Sequence, residues 1–268
     1  MTGRSDRTPV RRLVVAAATD VGRVRRNNED AYLVAQLGDA VSDNAEIIDL
    51  ARHPVLMAVS DGMGGAAAGE VASALVVESL RRALPADSPD WAASLRGAVE
   101  RANREVWAIA QRPETRGAGA TLTAVCVHGD DAHVAEVGDS RAYLLRDNEL
   151  HLLTHDQSYV QFLVDAGVLQ PEEAERSSLN NLILEAMGRA PDIRVDIGQV
   201  DLRTDDRLLV CSDGLTKTLP AARIRDTIME SESPAAACGR LIALANEHGA
   251  IDNITVIVAH IDGATAAG

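Results

Sequence analysis

Short aliphatic runs bounded by turn residues constrain this chain more than any other feature. They fall at about 12–19, 30–37, 54–60, 119–128, 132–138, 141–146, 149–153, 193–201, 207–212 and 253–261. Rich in Val, they have the length and composition of β-strands. Gly129-Asp130-Asp131, Gly138-Asp139-Ser140 and Asp147-Asn148 separate successive runs by only a few residues. Gaps that short make hairpins, because parallel neighbours need a crossover of about a dozen residues or more. Antiparallel pairing is therefore expected.

Helical patterns interrupt the strands in pairs, at about 66–84 with 90–112 and at about 220–230 with 234–248. Pro220 and Pro234 stand where a first turn tolerates proline, and Gly249 suits a C-terminal cap. Strand-rich runs with inserted helix pairs predict an α+β domain of two packed sheets flanked by helices. The stretch from about 154 to 190 reads as an inserted flap. Its short helical pieces (157–167, 171–176, 179–187) are broken by Gly167, Pro171 and Gly188. Residues 1–10 and 263–268 read as tails around one domain, 11–262.

Composition removes several function classes. Of 268 residues only 2% are aromatic, so the core is built from Val, Leu, Ile and Ala. The net charge of −14 disfavours nucleic acid and anionic membrane surfaces as partners. Lys217 is the only lysine and follows no glycine, which excludes a Walker A phosphate loop. Cys126, Cys211 and Cys238 are odd in number and lack CxxC spacing. They fit a reducing compartment, and Cys126 and Cys211, inside apolar runs, read as inert buried thiols. None has an arginine six residues on, so a cysteine-nucleophile phosphatase has no support. Arg11-Arg12 precedes an apolar stretch too short for a twin-arginine signal, cut by Asp20. A cytoplasmic location is the expectation.

The chemistry is carried by where the carboxylates stand. Asp61 ends the run from Val55 to Ser60 and starts Gly62-Met63-Gly64-Gly65. Asp213 ends Leu208–Ser212 and precedes Gly214; Asp252-Asn253 precede Ile254–Val258. Glu29-Asp30 precede Ala31–Val34, and Asp139 lies in the turn between two strands. A single Asp-Gly is ordinarily a turn. Several acids at the ends of strongly apolar strands could instead share one site. Clustered carboxylates repel, and their burial is costly without a cation. An oxygen-only donor set suits Mg²⁺ or Mn²⁺, and no histidine in these motifs argues for zinc.

These residues resemble the bacterial metal-dependent serine/threonine protein phosphatases of the PP2C (PPM) type. The resemblance spans about 13–261. Its motifs occur in family order: Thr19-Asp20-Val21-Gly22 with Arg25 and Asn28-Glu29-Asp30; Asp61-Gly62-Met63-Gly64-Gly65; Gly119-Ala120-Thr121-Leu122; Val137-Gly138-Asp139-Ser140-Arg141; Ser212-Asp213-Gly214-Leu215; and Asp252-Asn253-Ile254-Thr255. The resemblance implies an α-β-β-α sandwich with a binuclear Mn²⁺ or Mg²⁺ centre at one end. Asp61 would bridge both ions, with Asp213 and Asp252 on the first and the Gly62 carbonyl on the second. Glu29 and Asp30 would hold metal-bound water. Asp139, with Asp213, matches a weaker third position. Arg25 matches the arginine that holds the substrate phosphate. The implied activity is hydrolysis of phosphoserine and phosphothreonine on proteins by a metal-activated water. The implied setting is a stand-alone monomer opposing a Ser/Thr kinase.

Three positions depart from common family patterns. Met63 stands where eukaryotic relatives often carry a candidate general acid, His. Gln157 replaces a His in the flap pattern Thr154-His155-Asp156-Gln157-Ser158, and Glu185 stands near an expected Thr-Arg. Two rivals therefore accompany the phosphatase reading. One is a phosphatase-like binding module without turnover. The other is a metal-dependent phosphodiesterase or nuclease.

Overall fold

The structure, a computed structural model, describes residues 10–38, 47–50, 52–175, 177 and 179–264. The strands are β1 (Val10–Asp20), β2 (Asp30–Gln36), β3 (Ile47–Asp49), β4 (Val55–Met63), β5 (Gly119–Ala120) and β6 (Leu122–His128). They continue with β7 (Asp131–Val137), β8 (Arg141–Arg146), β9 (Glu149–Leu152), β10 (Asp196–Asp201), β11 (Arg207–Cys211) and β12 (Ile254–Ala264). The helices are α1 (Ala66–Ala83), α2 (Trp91–Ala110), α3 (Tyr159–Asp165), α4 (Pro171–Glu175), α5 (Asp213–Thr216), α6 (Ala221–Met229) and α7 (Pro234–Glu247).

One sheet has the order β3-β1-β12-β11-β8-β9 and the other β10-β7-β6-β4-β2, with β5 paired to β4. All the pairings are antiparallel, as the hairpin gaps imply. Alternation along each central strand divides its side chains between two cores. On β4, Val55, Met57 and Val59 face the other sheet, while Leu56 and Ala58 face α1 and α2. On β11, Leu208 and Val210 point between the sheets, whereas Leu209 and Cys211 meet α6 and α7. Burial on both faces explains why these strands read as unbroken apolar runs rather than as alternating ones. The result is the expected four layers, α-β-β-α.

Helix ends follow the sequence cues. Asp90 caps α2 by accepting from Ala93 N at 2.9 Å, and Ser233 caps α7 through Ala236 N at 3.2 Å, just before Pro234. The three cysteines are free and buried, and burial pushes each thiol up to about 12. That matches the inert role expected of Cys126 and Cys211 and adds Cys238. Among the described residues no helix is long and apolar enough to cross a membrane.

Several expectations need correction. No helix forms at 179–187. This stretch bridges instead, Ser158 with Ile183 and Ala120 with Met187. Its backbone is satisfied by Gln157 and Ala120 (Leu184 N to Gln157 O, 2.8 Å; Met187 N to Ala120 O, 2.8 Å), so these residues stay extended. The strand expected at 119–128 is two pieces flanking Thr121. Short β3 escaped notice because it offers only Ile47 and Ile48 as an apolar signal. The strand β12 runs through Gly263 and Ala264, and β1 starts at Val10. The remaining tail residues, 1–9 and 265–268, lie outside the described ones.

Leu208, 1% exposed between the sheets, tests the inner core. Leu208→Ala should lower the unfolding free energy by about 2–5 kcal/mol in urea denaturation, through lost transfer energy and a residual cavity.

Candidate metal centre

Strand register gathers the acids at one end of the sandwich. Asp30 opens β2 directly opposite Asp61 near the end of β4. Asp213 lies just beyond Cys211, which pairs with Arg141 on one side and Val256 on the other. Asp139 immediately precedes that arm through the β7–β8 turn, and Asp252 immediately precedes β12. Five chain segments distant in sequence thus deliver carboxylates to one region.

The acids of this region act on one another electrostatically. Asp61 is pushed well above the ordinary carboxylate range by burial, then by the charges of Asp30, Asp213, Asp139 and Asp252. Asp30 rises to about 7 through burial, reinforced by Asp213 and Asp252 and opposed by hydrogen bonds from Thr255 and Ser212. Asp139 rises to about 8 through burial and then Asp213, with Lys217 opposing. Glu29 is raised chiefly by burial, while Arg25 pulls it down.

Hydroxyls fix one side of the cluster. Asp30 Oδ2 accepts from Ser212 Oγ at 2.8 Å and from Thr255 Oγ1 at 2.7 Å. Behind Thr255 the chain continues through Thr19 Oγ1 (2.7 Å) to Asn28 Nδ2 (2.7 Å). Asn253, buried, accepts from Glu29 N and donates to the carbonyls of Val21 and Asn27. It thereby staples the β1–β2 loop that carries Arg25 and Glu29. On the other side, Asp61 N donates to Thr121 Oγ1 at 3.0 Å and Thr121 N donates to Asp61 O at 2.8 Å. Gly62 N donates to Glu29 O at 3.1 Å, joining β4 to that loop.

Two close approaches require glycine. A Cβ on Gly214 would stand 1.9 Å from Asn253 O, and one on Gly69 would stand 2.0 Å from Glu29 Oε2. Gly214 lets the Asp213 turn press against the Asp252-Asn253 segment. Gly69, on α1, leaves room for the Glu29 carboxylate, a role its place in an Ala-rich helix did not signal.

Gln157 has a defined task. Its Oε1 accepts from Gly138 N at 2.8 Å, its Nε2 donates to Asp196 at 2.9 Å, and its own N–H donates to Gly138 O at 2.7 Å. It clamps the turn that holds Asp139. Arg141 is engaged by Asp156 through two bonds, at 2.8 and 2.7 Å. Glu185 is half-buried in the flap, and Met63 closes β4 beside the cluster.

The oxygens left over fit a hard cation. Asp30 Oδ1, Asp139 Oδ1 and Asp213 Oδ1 are buried without a hydrogen-bond partner. Orphaned carboxylate oxygens are costly unless something positive meets them. Among the described residues, no three His, Cys, Asp or Glu side chains close on one point as a finished cage. The chain's own cations hold the acids instead. Arg25 binds Asp252 at 2.8 Å from the exposed rim, and Lys217 is ion-paired with Asp213. Sequence reading assigned Lys217 no part in the site; its spacing of four from Asp213 was the available signal.

Raised carboxyl pKa values set a sign. Asp30 and Asp139 hold protons in the folded state well above an unfolded carboxyl near 4, so their contribution to metal-free stability is greatest at low pH. It falls as pH rises through about 7 to 8. With EDTA, Tm should drop between about pH 5 and pH 8. Mn²⁺ should remove most of that drop and release protons on binding, read by calorimetry in buffers of different ionisation enthalpy. A flat metal-free profile would contradict this.

Comparison with known proteins agrees with the geometry. The family model described as protein phosphatase 2C matches residues 27–247. The serine/threonine protein phosphatase PstP of Mycobacterium tuberculosis is 39% identical over 92% of this chain, which spans only 44% of that relative's length. Protein phosphatase PhpP of Streptococcus pneumoniae is 35% identical over 90% of this chain and 95% of its own. The crystal structure of the PstP catalytic domain in complex with two manganese ions superposes with a TM-score of 0.76 at 37% identity, covering 94% of this chain and 99% of that one. The chain belongs to the protein phosphatase 2C family.

Proposed function

We propose that this chain is a metal-dependent protein phosphatase that hydrolyses phosphoserine and phosphothreonine monoesters, opposing a Ser/Thr kinase. The observation that carries the reading is the convergence of acids on Asp61, with buried, unpartnered oxygens on Asp30 and Asp213. Asp61, Asp213, Asp252 and the Gly62 carbonyl would hold two Mn²⁺ or Mg²⁺ ions, with Glu29 and Asp30 alongside. Such ions supply Lewis-acid charge and lower the pKa of water for attack on phosphorus.

The chain's residues supply the rest. Arg25 is exposed at the rim, where its fork matches a phosphate group. In the structure its partner is Asp252, so an incoming phosphate would compete with that ion pair while a cation takes over Asp252. The Asn253 staple holds the loop that presents Arg25 and Glu29. The hydroxyl chain from Asn28 to Asp30 leaves Oδ1 as the free oxygen of Asp30. Gln157 supports the Asp139 turn, so this departure from the family pattern is consistent with an intact site. The three unpaired buried thiols support a cytoplasmic location. A monomer is the assembly proposed.

The test is hydrolysis of p-nitrophenyl phosphate and of a phosphothreonine peptide with Mn²⁺, Mg²⁺ or EDTA. Turnover of both should require metal and vanish in Asp213→Asn. Arg25→Ala should lower kcat/KM roughly 10–150-fold, the scale of one lost charge-assisted hydrogen bond, and Arg25→Lys should restore only part. Metal binding without turnover would replace this reading by a binding module. Cleavage of a diester but not a monoester would indicate a phosphodiesterase.

A further inference from the structure

Lys217 is the chain's one lysine, and it lies at the candidate metal centre. It directly follows α5, four residues after Asp213. Its Nζ is ion-paired with Asp213 Oδ2, stands 3.8 Å from Asp139 Oδ2, and donates to Asn181 Oδ1 of the flap at 2.8 Å. The two carboxylates are 4% and 10% exposed, whereas the Lys217 side chain is 25% exposed, so the ammonium meets two buried acids from the solvent side. Each acid gives Lys217 its Oδ2 and keeps a buried Oδ1 without a partner. Lys217 also lines a cleft of about 520 Å³ between the flap and α5–α6, shared with Asp139, Asn180 and Asp213. The ammonium and both acids therefore face the same cleft.

We propose that Lys217 is a tethered cation that takes the third-ion position at Asp139 and Asp213, so that this chain binds two divalent ions and excludes a third. The inference rests on the metal-centre reading above. Two features exclude the extra ion. Lys217 is bonded to Asp213 Oδ2 and stands 3.8 Å from Asp139 Oδ2, and a divalent cation at the same pair would meet this positive charge at close range. Being covalently attached, the ammonium holds its position at any metal concentration, and Asn181 orients it from the flap side. Asp213 Oδ1 remains free for an ion on the Asp61 side. Lys217 is thus a positioning residue that sets metal stoichiometry.

The experiment counts Mn²⁺ bound to the full chain at saturation, by equilibrium dialysis with metal analysis, with folding checked by circular dichroism. Wild type should hold two ions. Lys217→Gln should hold three, the third disappearing in Lys217→Gln/Asp139→Asn, while Lys217→Arg should stay at two. Asp139→Asn alone should leave the wild-type count unchanged, which keeps the test open if Lys217→Gln fails to fold. Three ions in wild type, falling to two in Asp139→Asn, would overturn the inference and leave the metal centre standing. A count of two in folded Lys217→Gln would do the same. No bound Mn²⁺ in wild type would overturn both readings.

Discussion

Mutual repulsion among buried carboxylates is the constraint on which the rest of the structure depends. Asp30, Asp61, Asp139, Asp213 and Asp252 come together at one end of the sandwich, where burial raises the cost of charge on Asp30, Asp61 and Asp139. Three arrangements answer that cost within the chain. Ser212 and Thr255 donate to Asp30; Arg25 and Lys217 pair with Asp252 and Asp213; and some protons are retained. A divalent cation answers it more completely, because it meets the oxygens that Asp30 and Asp213 leave bare. The acids therefore weaken the metal-free fold and create affinity for a hard cation in one stroke.

Such a site needs a rigid mount, and the sandwich provides one. Each central strand is clamped between two cores, so its end is fixed on both faces. Strand ends deliver Asp61, Asp213 and Asp252, while loops carry Arg25 and Asp139. Those loops are in turn stapled by Asn253 and Gln157. Groups proposed to hold the cation are thus set by stiff strands, and the arginine proposed to meet the phosphate lies on a loop.

Much of this was legible in the sequence because it depends on local signals. Hairpin gaps of a few residues dictate antiparallel pairing, and unbroken apolar runs imply strands covered on both faces. The acids at strand ends were identifiable as soon as the runs were delimited. What escaped notice depends on tertiary partners. The segment 179–187 has helical composition but finds extended neighbours in Gln157 and Ala120. Gly69 looks like a flaw in an Ala-rich helix until Glu29 is seen against it. Gln157 looked like a lost functional histidine, and its place under Gly138 gives it a structural task. Lys217 was visible as a lone lysine, yet its role follows only from Asp139, which lies 78 residues away (217 minus 139).

A crystal grown or soaked with Mn²⁺, with anomalous scattering recorded at the manganese edge, tests the central claim most directly. The account predicts strong peaks against Asp61, flanked by Asp213 and Asp252, with Arg25 released from Asp252. Peaks confined to surface carboxylates, with Arg25 still bound to Asp252 and the cluster unchanged, would contradict it.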